Sequence, residues 1–344
     1  MTPSHTKPRG TMSAWVMDGP GEPVECLRIE EKPIPDPGPG QVLIKVAAVG
    51  ISYGDLLLSR GEYQEGASFP FTPGQEVVGE VVASHADAPT AVGTRVIALP
   101  AQRNGGLAEY CLADQAGVFP AGDSLSDAGA AAFPIAFHTA WFAVHRQGRL
   151  QPGETMVVHA AAGGVGAACV QLGVAAGARV IAVVGGEAKV ALCHKLGAHV
   201  VVDRLVENFG EVVRRETNER GADVIIDPVN GDVFDQSRRV IASEGRLVVV
   251  GFVGNRIAEL RTNHVLLKNY SVTGVNLSYY YNDSNAIELV RAAHTELLEL
   301  HRQGSIVSLV QREIPFEAAA RAISDIQSIS TWGRTVVRPP TPRR

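Results

Sequence analysis

The residues of greatest chemical consequence in this chain are glycines. In Thr155-Met156-Val157-Val158-His159-Ala160-Ala161-Ala162-Gly163-Gly164-Val165-Gly166 a β-rich apolar run meets small residues, and a small, apolar run continues to Gly177. The order is strand, tight turn, helix, the form of a dinucleotide-binding turn. Gly163 lets the backbone approach a pyrophosphate, Gly164 permits the turn, and Gly166 lets the helix pack tightly on the sheet. With Ala162 and Val165 they would set a diphosphate against the open N–H groups and positive end of a helix. A second apolar run, Ala178 to Val184, ends at Gly185-Gly186, where the ribose-reading residue of a dinucleotide site is expected. Left-handed turns recruit glycine as well, so the reading leans on the alternation of strand and helix around the cluster.

A parallel sheet must position such a turn. From residue 135 onward the pattern predicts a helix over 135–147, strands over 155–159 and 180–184, and a helix over 187–196. It continues with strand 200–203, helix 209–220, strand 223–227, helix 233–241, and strands 246–251 and 270–277. Before it, short strands such as 41–49, 96–99 and 108–112 alternate with Gly and Pro, which reads as a β-rich, barrel-like unit. Within it Ser52 to Asp55 has the form of a capping box ahead of an apolar run. A long amphipathic helix covers roughly 284–302, and the segment from Ile306, with a helix at 316–326 and a strand at 335–338, returns to the β-rich unit. The expected fold class is α/β, a β-rich unit beside a doubly wound parallel sheet. The boundaries drawn are 13–134, 135–277 for the nucleotide unit and 278–338 for the return, with flexible tails at 1–12 and 339–344.

With 344 residues the chain is long for one core and suits two domains. A net charge of −5 gives no electrostatic reason for nucleic acid or an anionic membrane as partner. Four cysteines, Cys26, Cys111, Cys169 and Cys193, lack metal-ligand spacing and read as buried apolar residues in a reducing compartment. No stretch is apolar enough to span a bilayer. Met1 to Ser13 has no apolar core and does not read as a secretory signal. A cytoplasmic location is expected.

On these motifs the chain resembles the zinc-free medium-chain dehydrogenases/reductases, specifically the NADPH:quinone oxidoreductase (zeta-crystallin-like) branch. The residues that carry the resemblance are Pro33-x-Pro35-x-Pro37-Gly38-Pro39-Gly40-Gln41-Val42, Ala160 to Gly166, Lys195-Leu196-Gly197-Ala198, and Asp227-Pro228-Val229-x-Gly231-Asp232. It covers about 15–337 and implies a GroES-like catalytic domain, a Rossmann domain set before the C-terminal return, and a homodimer. Zinc-dependent cousins carry a thiolate and a histidine where this chain has Ser52 and Gln75, and four clustered cysteines are absent. No metal is therefore expected.

The resemblance further implies NADPH as cofactor. Lys189 stands where NADPH-binding members have a lysine, and Arg204 stands where they often have a tyrosine. Glu187 is the contrary sign, and a solvated lysine and a loop arginine are the ordinary alternatives. Thr139 and Phe142 are carried over to the nicotinamide side, with domain packing as the alternative for Phe142. Gly251, Phe252 and Val253 follow a strand end where a doubly wound sheet binds its ligand. Gly274, Val275 and Asn276 are carried over as backbone contacts to the carboxamide, or simply as strand.

For chemistry, Tyr63 matches the proton donor of related enoyl reductases, and Tyr53 stands where it could hydrogen-bond substrate or ribose. For both, a buried tyrosine with a satisfied hydroxyl is the competing reading. Ser52 and Asp55 replace the family's Asn-x-x-Asp, so Asp55 is either a site acid or a helix-capping one. The implied reaction is hydride transfer to a quinone or an α,β-unsaturated carbonyl, with a small molecule as partner and no membrane or nucleic acid. Two other readings stay open: an enoyl-thioester reductase of polyketide or fatty-acid type, and a low-turnover nucleotide-bound protein that binds RNA.

Overall fold

Alternation of apolar side chains organises the first half of the chain, and the computed structural model describes residues 8–340 except 65, 67, 102, 103, 255 and 329. The chain divides into two compact units, Met1–Pro134 with Ser308–Arg344, and Ile135–Val307.

In the first unit β1 (Thr11–Met17) and β2 (Leu27–Pro33) form an antiparallel ribbon. A mostly antiparallel sheet follows, made of β3 (Gln41–Ile51), β4 (Glu76–Ser84), β5 (Arg95–Ala98), β6 (Tyr110–Asp114) and β7 (Val118–Pro120). The long β3 is its hub, pairing with β4, with β6, and with a strand from the end of the chain. Its inward residues Val42, Ile44, Val46 and Val49 meet Leu56, Val77, Val81 and Phe316 in one apolar cluster. The helix Tyr53–Arg60 leaves the end of β3 after a capping box at Ser52 and stops at Gly61, whose φ of 71° is the left-handed stop common at helix C-termini.

The second unit is an open parallel sheet. Its strands are β8 (Thr155–His159), β9 (Arg179–Val184), β10 (Val200–Asp203), β11 (Ala222–Asp227), β12 (Ile241–Val249) and β13 (Ser271–Gly274). Their spatial order is β10-β9-β8-β11-β12-β13, with every neighbouring pair parallel. The order reverses between β8 and β11, which is the topological switch point of a Rossmann sheet. All five residues of β8 are buried, as a central strand covered on both faces requires. The chain then returns to the first unit through β14 (Val310–Ile314) and β15 (Arg334–Val337), the latter pairing with β3.

Three expectations change. The tail drawn over 1–12 is shorter: Thr11 and Met12 already belong to β1, because Thr11 pairs with Pro33 and Met12 is buried. Residues 1–7 and 341–344 of the two tails lie outside the described residues. The return begins at Ser308 instead of 278, since the helix Ile287–Arg302 turns Val290, Ala293, His294 and Leu297 into the interior of the second unit. There His294 Nδ1 meets His138 Nε2 at 2.9 Å. The helix drawn over 135–147 is α-helical over Pro134–Trp141 and then a π-turn over Phe142–Gln147, marked by the bond from Gly148 N to Ala143 O at 2.8 Å.

Candidate cofactor site and capped helix

The second unit supplies a cradle for a diphosphate. β8 ends at His159, and Ala160 turns the chain with φ 48°. Gly163 N bonds Ala160 O at 2.9 Å, and Gly163 becomes the N-cap of the helix Gly164–Ala175 with no side chain capping it. The first turn of that helix therefore presents its N–H groups outward, with Ala162, Gly163, Gly164 and Val165 around them. A Cβ at Gly166 would lie 2.3 Å from Ala160 O, so only glycine lets the helix start this close to the strand end. These contacts fit a bound diphosphate.

At the end of β9 there is no acid: Val184 leads into Gly185 and Gly186, and Glu187 points into solvent at the helix start. A Cβ at Gly185 would lie 3.2 Å from Arg204 Nε and 3.3 Å from its Nη2, so the guanidinium rests against the bare glycine. Lys189 is half-buried, and its ammonium is held below the usual lysine range, first by burial and then by the neighbouring Arg204 charge. Arg204 thus rests beside Gly185, and Lys189 is near enough to feel its charge.

Beyond β11, Asp227 Oδ1 accepts from Val229 N at 2.9 Å and Asn230 N at 2.8 Å; burial pushes its carboxyl pKa up while those bonds oppose the rise. The loop after β12 is laced to it by Val253 N to Pro228 O, 3.1 Å, and Gly254 N to Val229 O, 2.8 Å. Gly251, Phe252 and Val253 therefore stand at the carboxyl end of the sheet. Asn276 caps the helix Leu277–Asn282 by accepting from Ser278 N at 3.0 Å.

In the first unit Asp55 is fully buried. Its Oδ2 accepts from Ser52 N at 2.8 Å and Ser52 Oγ at 3.1 Å, and its Oδ1 accepts from Gly74 N at 2.9 Å. Burial raises its pKa, against those bonds and the charge of Arg334. Arg334 itself forms a buried ion pair with Glu76 at 3.0 Å. Ser52 Oγ also lies 3.3 Å from Gln75 Oε1. Tyr53 is half-buried and its hydroxyl accepts from Gln327 Nε2 at 2.8 Å. Tyr63, half-exposed, follows the end of the helix by two residues past Gly61.

Residues 38–132 match the alcohol dehydrogenase GroES-like domain, and residues 164–292 match the zinc-binding dehydrogenase domain. Quinone oxidoreductase-like protein 2 of Mus musculus is 36% identical over 77% of this chain and 75% of its own. Quinone oxidoreductase of Rattus norvegicus is 30% identical over 88% of this chain and 90% of its own. The chain belongs to the quinone oxidoreductase family of medium-chain dehydrogenases/reductases. Among solved structures, a mycobacterial protein in complex with NADPH superposes with a TM-score of 0.87 at 29% identity, covering 95% of this chain and 100% of that one. The Pseudomonas syringae quinone oxidoreductase gives 0.87 at 26% identity, over the same shares.

Within that family frame the first unit is the GroES-like domain and the second the Rossmann domain. Several site expectations shift with the geometry. Phe142 is fully buried and stacked on Tyr280 at a centroid distance of 3.8 Å, so it packs the Rossmann interior instead of facing a cofactor. Thr139, on the same helix, is also buried. Asp55, read from the sequence as either a site acid or a helix-capping one, has its oxygens filled by Ser52 and Gly74, as a buried carboxylate requires. Glu76, Arg334 and Asp203 escaped the sequence reading, the first two because nothing local links positions so far apart. Asp227 carried a signal, standing in the Asp-Pro-Val motif without an assigned role.

Asp55→Ala leaves the buried Ser52 and Gly74 N–H groups without their acceptor and should cost about 2–4 kcal/mol of stability in urea unfolding. An Asp55→Ala protein as stable as wild type would return this carboxylate to the list of reacting groups.

Proposed function

We propose that the protein is an NADPH-dependent, metal-independent reductase that transfers hydride to a quinone or an α,β-unsaturated carbonyl. The observation that carries this reading is the end of β9, where the Arg204 guanidinium rests against bare Gly185 and Lys189 follows on the next helix, near enough to feel its charge. An acid there would bind a ribose 2′-hydroxyl, whereas two cations suit a 2′-phosphate dianion. The residues that would hold the cofactor are Ala162 to Val165 for the diphosphate, Lys189 and Arg204 for the 2′-phosphate, and the loop Gly251–Val253 with Thr139 and the backbone near Asn276 for the nicotinamide half. Bound there, NADPH supplies the hydride.

The chain's own task is then to orient the acceptor, exclude water and deliver one proton. Hydride adds to the β-carbon of an enone, the double-bond electrons become an enolate, and the Tyr63 hydroxyl gives its proton to that enolate. Tyr53, with its hydroxyl already accepting from Gln327, has its remaining proton available to a substrate oxygen. Ser52 and Gln75 offer a hydroxyl and an amide oxygen 3.3 Å apart, where tetrahedral zinc takes thiolate or imidazole. A polarising metal therefore has no suitable donors at that place, and no other described group of three or more His, Cys, Asp or Glu is disposed to hold one. The likeness to an enoyl reductase named CurK, TM-score 0.83 at 25% identity over 95% of this chain and 99% of that one, favours enoyl-thioesters as a second acceptor class.

The same reading makes the molecule a homodimer. β13 ends its sheet, and Ile257, Leu266 and Leu267 on neighbouring segments are mostly exposed, a surface that a second copy would cover. Sedimentation at micromolar concentration should give twice the chain mass; a monomer would remove this part of the reading.

Purified protein should oxidise NADPH at least tenfold more efficiently than NADH with quinones or small enones, unaffected by EDTA. Lys189→Ala should raise KM for NADPH about tenfold and leave that for NADH within twofold, the size of one lost charge-assisted contact. Equal effects on both cofactors would detach Lys189 from the phosphate. Tyr63→Phe should lower kcat for enones by about a hundredfold with NADPH affinity intact; an unchanged kcat would reject the proton-donor role.

A further inference from the structure

Asp203 is the last residue of β10 and pairs in register with Val184, the last residue of β9. Its Oδ1 accepts two backbone N–H groups together, Gly186 N at 3.0 Å and Leu205 N at 3.0 Å. Those groups belong to the two segments that carry the cations, a helix start and a turn. Gly186 is the N-cap of the helix holding Lys189, and Leu205 directly follows Arg204. A third bond, Arg204 N to Val184 O at 2.9 Å, joins the same two strand ends through the backbone.

The conformation being held needs an anchor. Gly186 has φ 95° and ψ 145°, a region open to glycine and rarely to other residues. Free glycine samples many states, so without a fixed acceptor the turn that launches Lys189 would wander. Leu205 and Arg204 are exposed. A carboxylate this near a dianion site is otherwise unfavourable, since the charges repel. Its two N–H bonds hold Asp203 below the usual carboxylate range, so it is the ionised, acceptor-only form that clips the two segments.

We propose that Asp203 is a positioning residue for the 2′-phosphate of the cofactor: by clipping Gly186 N and Leu205 N to one oxygen it makes Lys189 and Arg204 converge beside Gly185. Asp203 does not itself touch the phosphate. The proposal rests on the NADPH reading above and deepens it, explaining how a side chain on a helix start and one on a separate turn act as one site. Preorganisation of this kind appears as affinity for the group recognised, and leaves the rest of the ligand unaffected.

The test is calorimetric titration of the full chain with 2′,5′-ADP and with 5′-AMP, which differ by the 2′-phosphate alone. Wild type should bind 2′,5′-ADP at least about tenfold more tightly, as a charge-assisted contact pair provides. Asp203→Ala should cut that ratio about fivefold or more while 5′-AMP affinity stays within about twofold. Asp203→Asn keeps an oxygen acceptor at the same place and should retain most of the ratio. The proposal is overturned if Asp203→Ala keeps the ratio, if both variants lose it equally, or if Asp203→Ala weakens both ligands alike. A wild-type protein without preference for 2′,5′-ADP would sink the NADPH reading itself, whatever Asp203 does.

Discussion

The approach of one helix to one strand end governs everything else in this molecule. Ala160 O occupies the volume that a side chain at residue 166 would need, and the missing Cβ brings the open N–H groups of the helix Gly164–Ala175 to the carboxyl edge of the sheet. A helix displaced outward by the width of a methyl would still fold. It would no longer present its dipole to a ligand lying on the edge of β8, and a diphosphate has little else to bind there. The burial of all of β8 on both faces is what makes the strand end rigid enough to serve as the other jaw.

Around that fixed point the Rossmann domain distributes charge in an economical way. The half of the sheet formed by β9 and β10 sets Arg204 against a bare glycine with Lys189 on the following helix, and the half formed by β11 and β12 carries loops whose N–H groups bond to the Asp227 carboxylate, Pro228 O and Val229 O. The first half therefore offers charge, and the second a backbone-tied shape. Buried histidines serve neither purpose: His159 is pulled down to about 3 by burial and is neutral, bonded to Ser237 Oγ at 2.9 Å, so it packs the end of β8.

The GroES-like domain shows a different use of buried charge. Asp55, Glu76 and Arg334 come from a helix, a strand start and the last strand, and together they bind the capped helix to β4 and β15. Paired buried charges contribute little net stability, yet breaking one partner is expensive. The group therefore fixes the register in which Tyr53 and the end of β3 are held. Ser52 and Gln75 face each other inside that frame as neutral groups.

Much was legible in the sequence because it depended on local patterns. The glycine turn, the capping box Ser52 to Asp55, the alternation of strand and helix after residue 135, and the absence of an acid at the end of β9 are all short-range facts, and each element lies near where its pattern puts it. The tertiary structure alone decided the rest. The run Ser278-Tyr279-Tyr280-Tyr281 has strand-forming residues, but the helix Leu277–Asn282 wins because Tyr280 stacks on Phe142. The helix Ile287–Arg302 was evident from its period, yet which unit it covers was fixed by His138 meeting His294 across the fold. That Asp55 also ties to Gly74, that Phe142 stacks on Tyr280, and that Asp203 bonds Gly186 all follow from contacts between residues distant along the chain. A periodic pattern specifies which face of an element is buried, because that depends on neighbours three or four residues away; it cannot specify what that face meets, because the partner is chosen only when the chain closes.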